Sequence, residues 1–124
     1  MTKNELLKLA DRVEAGEADP FDVLDGLYPS LEAKACPAYN DIRCGAIAFL
    51  THLDAAKSLH DAVCHTWWWE VTGGQGDPDE GPQWYSASVS DAKPVDSTQT
   101  FGEASNPAAA WVAAILRAKA EELK

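Results

Sequence analysis

Apolar residues recur along this chain at two periods, three to four residues towards both ends and two residues in the middle, and the change of period marks out the elements. The middle is organised around His65 to Thr72, HTWWWEVT. Its alternation predicts a strand with Trp67, Trp69 and Val71 on a core face and Thr66, Trp68, Glu70 and Thr72 on the other. Trp84 to Ser90, WYSASVS, alternates again, with Tyr85, Ala87 and Val89 on one face and Trp84, Ser86 and Ser88 on the other. Thr98 to Ala104 predicts a third strand with Phe101 inward. The residues from Gly73 to Gln83 are glycine, proline and acid almost throughout, which predicts an exposed, mobile loop joining the first two strands. A polar turn around Pro94 precedes the third.

The outer parts of the chain follow the helical period. Thr2 and Glu5 have capping-box spacing, with Leu6, Leu9, Ala10 and Val13 on one face behind them and Gly16 as the stop. Asp19-Pro20 opens a short second helix whose apolar side is Phe21, Leu24 and Leu27, extended by Tyr28, before Pro29 ends it. Residues 30–45 hold Pro37, Asn40 and Gly45, which break any long element, and Ala46 to Leu50 is too short to assign by period. Thr51 and Asp54 give a second capping signal, followed by a stripe of Leu53, Ala56, Leu59, His60 and Val63. Ser105-Asn106-Pro107 announces the last helix, with Ala108, Trp111, Val112, Ile115 and Ala118, extended by Leu123, as its apolar face.

The expected fold is therefore α+β: a three-stranded antiparallel sheet flanked by helices, in the order helix, helix, arm, helix, three strands, helix, with alpha-beta-alpha layering. Residues 1–124 are expected to form a single domain. Within it, 1–29 make a helical hairpin, 30–50 a connecting arm and 51–124 the helix-strand-strand-strand-helix core.

Composition narrows the function classes. The 124 residues are 46% hydrophobic and 24% charged, which is ordinary globular composition and enough to bury a real core. Ten basic against twenty acidic residues give a net charge of −10. Such a field repels phosphate backbones and anionic membranes and favours a partner with a basic surface. No apolar run reaches the length of a membrane span, and the opening residues lack the layout of a signal peptide, so a cytoplasmic location is expected. Cys36, Cys44 and Cys64 have no CxxC spacing and suit free thiols in a reducing compartment.

The chemistry-bearing residues do not assemble into a catalytic motif. His52, His60 and His65 lack metal-binding spacing, and no serine or cysteine lies in a nucleophile motif. Gly73-Gly74-Gln75-Gly76 leads into acids and not into a helix or a lysine, which argues against a phosphate cradle. Asp77, Asp79 and Glu80 resemble the start of a calcium loop but lack its closing glutamate, so a solvated or partner-docking loop is expected and no metal or cofactor. Trp68 and Trp84 remain. As outward residues of adjacent strands they would be cross-strand neighbours, either forming a partner hot spot beside the acidic loop or buried beneath the N-terminal hairpin.

Taken together, Leu53-Asp54-Ala55-Ala56, Trp67-x-Trp69-x-Val71, Trp84-Tyr85 and Asn106-Pro107-Ala108-Ala109-Ala110-Trp111 to Arg117-Ala118 resemble the small phage and prophage proteins of the phage ABA sandwich domain family. The Leu6 to Gly16 helix resembles the opening of the same proteins, so the resemblance covers most of the chain except the arm from Ser30 to Gly45. It implies layered helices and sheet in a phage accessory protein and carries no catalytic residues. The expected function is non-enzymatic: binding a host or phage macromolecule in the host cytoplasm, for instance to inhibit a defence or nucleic-acid-handling protein. Direct nucleic-acid and membrane binding are not expected, and a homo-oligomer is compatible with the reading. The alternatives are a binder that sequesters a nucleotide-like signal, which would need Arg or Lys at the site, and an uncharacterised enzyme.

Overall fold

The computed structural model describes residues 2–28, 52–64, 67–75, 84–91 and 99–122. These form helices α1 (Lys3–Glu14), α2 (Pro20–Leu27), α3 (Leu53–Cys64) and α4 (Pro107–Glu122), and strands β1 (Trp68–Gln75), β2 (Trp84–Ser90) and β3 (Gln99–Ala104). The three strands make one antiparallel sheet in the order β1-β2-β3, and helices pack on it, so the fold is α+β as the alternation predicts. No described helix is long and apolar enough to cross a membrane. The arm at 30–50, Thr51, the acidic loop, the turn around Pro94, Leu123, Cys36 and Cys44 lie outside the described residues, as does the Cys64 side chain.

Local signals set the helix ends. The Thr2 hydroxyl accepts the Glu5 N–H at 3.2 Å, Leu6, Leu9, Ala10 and Val13 are buried, and Gly16 takes the left-handed conformation at φ 76° that a side chain would strain. Asp19 accepts the Phe21 N–H at 2.8 Å with Pro20 in the first turn. The buried arc of α2 runs through Val23 and Leu24, however, and Phe21 is exposed. At 100° per residue Phe21 lies about a third of a turn off that arc. In α3 the stripe is buried from Ala56 through Leu59 and His60, while Leu53 in the first turn is exposed.

The central element is α4. It touches α1, α2, α3 and all three strands, so it is buried on nearly every side, Ala108 through Leu116 without interruption. The single apolar face expected for it is a correction: a helix covered by a sheet on one side and by helices on the others has no polar face to keep. Asn106 caps it by accepting the Ala108 N–H at 2.8 Å.

The close fit of α4 to β3 turns Phe101 outward, where the alternation predicts it inward. Thr100, Gly102 and Ala104 point inward and Phe101 points outward. A Cβ at Gly102 would run into the backbone of α4 at Ala110 and Ala114, and the Thr100 hydroxyl donates to the Ala114 carbonyl at 2.7 Å. Only small side chains fit that row, so the phenylalanine takes the other face.

The first strand runs further towards the C-terminus than the alternation predicts. It continues through Gly73, Gly74 and Gln75, which the composition assigned to the loop, with a register irregularity between Gly73 and Gln75. The Tyr85 ring lies across Gly73, its partner on β2, where a Cβ would collide with it. Glycine is required there because an aromatic ring covers the backbone.

Candidate functional site

The register sorts the sheet into two faces of three rows. Inward, the rows are Trp69, Val89, Thr100; Val71, Ala87, Gly102; and Gly73, Tyr85, Ala104. Trp69 and Val71 are large where they face the small residues of β3, the third row instead takes its bulk from Tyr85 on β2, and α4 lies closest to β3. The wedge left on the β1 side is filled by Trp111 of α4. Trp111 is 2% exposed and stacks on Trp69 with ring centroids 4.5 Å apart. Trp69 lies at the margin of this packing and stays 45% exposed.

His60 completes the inner cluster. It is 1% exposed, and its Nδ1 accepts the Trp111 indole N–H at 3.2 Å while its Nε2 lies 3.2 Å from the Trp67 carbonyl. An indole N–H only donates and a carbonyl only accepts, so both bonds together fix a neutral ring with the proton on Nε2. Burial pushes the His60 pKa below its ordinary value, outweighing the opposing pull of the Trp67 carbonyl. This is a satisfied core histidine.

A second polar network ties β3 to the helices. Arg117 on α4 donates to both oxygens of Glu14, to Asp11 and to the Phe101 carbonyl, and Glu14 accepts the Glu103 N–H at 2.6 Å. The Arg117 hydrogen bond is the main cause holding the Glu14 carboxyl below its ordinary pKa. These contacts give backbone groups of the β3 edge partners from α1 and α4.

The outer face differs in kind. Its rows are Trp68, Ser90, Gln99; Glu70, Ser88, Phe101; and Thr72, Ser86, Glu103. Trp68 is 75% exposed and Phe101 57% exposed, on opposite edge strands, with the serines of β2 between them. A shallow groove of about 200 Å³ runs beside Glu70, Thr72, Ser86, Ser88, Gln99 and Phe101. A smaller one of about 110 Å³ adjoins it against Trp68 and Ser90. α1 and α2 pack on α4, and the N-terminal hairpin does not bury Trp68.

Of the residues expected at the site, the structure places only Trp68 fully in view. Trp84 opposes Gln75 while Trp68 opposes Ser90, so the two tryptophans occupy opposite ends of the β1-β2 pair. They are not cross-strand neighbours, because antiparallel pairing sets the start of one strand against the end of the other. The seven residue-to-residue steps from Trp68 to Gln75 span about 23 Å. Nothing is described of the Trp84 side chain, and Asp77, Asp79 and Glu80 lie outside the described residues. Phe101 is the residue the sequence reading put on the wrong face. The small residues on either side of it, beside an alanine-rich helix, were the signal for its true direction.

No family model, curated protein or solved structure matches this chain. Among the described residues there is no group of three or more His, Cys, Asp or Glu that could hold a metal ion.

Proposed function

We propose that this protein is a non-enzymatic binder that docks a protein partner with a basic surface on the outer face of its sheet, using Trp68 and Phe101 as anchors. One observation carries the reading: the core closes on the inner face, yet among the described residues two large aromatic side chains stand exposed on an outer face that is otherwise serine, threonine, glutamine and glutamate. Exposed aromatic anchors within a polar surround are the usual centre of a protein interface. The net charge of −10 gives the partner its sign. The resemblance to phage ABA sandwich proteins supplies the phage context alone; in that context the docked partner is a host or phage macromolecule, for instance a defence or nucleic-acid-handling protein that the binding inhibits.

Sequestering a nucleotide-like signal fits less well. The groove is smaller than the roughly 300–1,000 Å³ of small-molecule sites. Among the described residues its lining also holds Glu70 and no arginine or lysine to meet a phosphate.

The test is capture from host lysate by wild type and by a Trp68→Ala/Phe101→Ala double variant, then reconstitution of the captured protein as a binary complex. A basic partner held by wild type and released by a folded double variant is expected. A partner held equally by both would overturn the docking surface, and co-purification of a small molecule alone would favour the sequestering reading.

A further inference from the structure

Between the two exposed aromatics lies a carboxylate in an unusual position. Glu70 neighbours Trp68 on the same face of β1, opposes Ser88, and stands in the row that ends at Phe101. The two depressions of the outer face share Glu70, Ser88 and Gln99, so Glu70 forms part of the wall between them. Among the described residues no basic group lies within ion-pair distance of it. Arg117, Arg12, Lys3, Lys57 and Lys119 each pair with other carboxylates.

From this juxtaposition we infer that the groove receives an arginine side chain of the partner, its guanidinium paired with Glu70 and stacked on the face of Trp68. The inference rests on the docking surface proposed above and names what that surface reads. A guanidinium is planar, weakly hydrated and carries five donors, so it can lie against an indole while bonding a carboxylate. The hydroxyls of Ser86 and Ser88 and the Gln99 side-chain carbonyl supply further acceptors. The Ser90 hydroxyl donates to the Asp91 carbonyl at 3.1 Å and keeps its lone pairs for an incoming N–H. A wholly apolar anchor would strand these groups, and an anion would meet Glu70 with no cation to offset it.

The probe is a blocked Gly-Arg-Gly-Arg-Gly peptide titrated into isotope-labelled protein, beside peptides with lysine or the neutral isostere citrulline in place of arginine. Shifts are expected at the amides of Glu70, Ser88 and Gln99 and at the Trp68 indole N–H. The citrulline peptide should bind at least about threefold more weakly, the scale of a solvent-exposed ion pair. Trp68→Ala should lose roughly two- to fivefold for arginine, the scale of an exposed cation–π contact. Glu70→Gln should lose about threefold, whereas Glu17→Gln, the same charge change at an exposed site on the α1-α2 link, should lose nothing. Equal losses in the two glutamine variants, or shifts spread over the whole acidic surface, would reduce the effect to net charge and overturn the inference. A captured protein partner that needs Trp68 and Phe101 but ignores Glu70→Gln would also overturn it while leaving the docking surface standing. A partner indifferent to Trp68 and Phe101 would remove the docking surface itself.

Discussion

The two faces of this sheet are written in the same strands and differ in what explains them. On β2 alone, Ala87 and Val89 are buried under α4 while Ser86 is exposed and Ser88 half-buried. Inward residues are accounted for by packing: small on β3 where the helix backbone comes close, large at Trp69 of β1 where it stacks on Trp111. Nothing in the packing calls for Trp68 or Phe101, because each could be polar without leaving a cavity. Exposed aromatic area that the fold does not use is therefore the feature most in need of a functional account.

The comparison breaks most easily on the inner face. Trp111→Ala should destabilise the protein by about 3–5 kcal/mol, the range for a large aromatic lost from a core. A shift of the urea midpoint at constant slope would measure it. Trp111→Phe should cost about 1–3 kcal/mol, since most of the ring remains but the buried His60 Nδ1 loses its donor. A loss below about 1 kcal/mol for the alanine variant would mean that α4 is not seated on the sheet as described.

Gly102 and Ser88 sharpen the contrast on neighbouring strands. Gly102→Ala places a methyl group against the α4 backbone, which cannot swing aside like the end of a side chain, and should cost about 1–3 kcal/mol. Ser88→Ala on the outer face should stay within about 0.5 kcal/mol. Denaturant melts of the two variants side by side provide the check.

How much of this was readable in the sequence depends on the range of the interaction. The Thr2 cap, the Leu6 to Val13 face and the Asn106-Pro107 start of α4 are local, and they stand where the spacing put them. The alternation of β2 also survives, because period two needs no knowledge of the partner strand. Phe101 failed because its direction is decided by the approach of the α4 backbone to Gly102, a packing contact that alternation within β3 does not encode. His60 was seen as part of a stripe, but its function in the core depends on Trp111, 51 residues away. The pairing of Trp68 with Trp84 was a different kind of error: antiparallel order alone already places them at opposite ends.

A smaller effect than that of Trp111→Ala or Gly102→Ala is expected from pH. The folded pKa of His60 is depressed by burial, so the unfolded chain binds the proton more readily over the window below the ordinary value of 6.5. The contribution of the neutral ring to stability is complete above that value and falls away as pH drops from it towards the folded pKa. Glu14 adds a second loss further down: its pKa is lowered from 4.5, so its stabilisation is complete above that value and disappears as pH falls through the folded pKa. His60→Gln keeps a donor and an acceptor but does not titrate. Between pH 7 and 5 its stability should therefore change less than that of wild type in parallel chemical denaturation. Equal slopes would mean that His60 is not held neutral by the core.

The smallest effect on stability, and the most informative about function, is expected from Trp68→Ala. The side chain is 75% exposed, with Ser90 opposite and Glu70 next to it on the same face, so unfolding free energy should move by no more than about 0.5 kcal/mol. Binding should respond differently. An aromatic anchor acts after encounter, so its removal should raise the dissociation rate of the partner and leave the association rate and its salt dependence nearly unchanged. Removing charge from the acidic residues Asp77, Asp79 and Glu80 should do the reverse, lowering association in a salt-sensitive way if long-range attraction brings a basic partner in. Surface-plasmon kinetics beside melting curves separates the two roles. A Trp68→Ala variant that melts markedly early would show that the outer face carries part of the fold's stability after all, and the contrast between the two faces would then be one of degree.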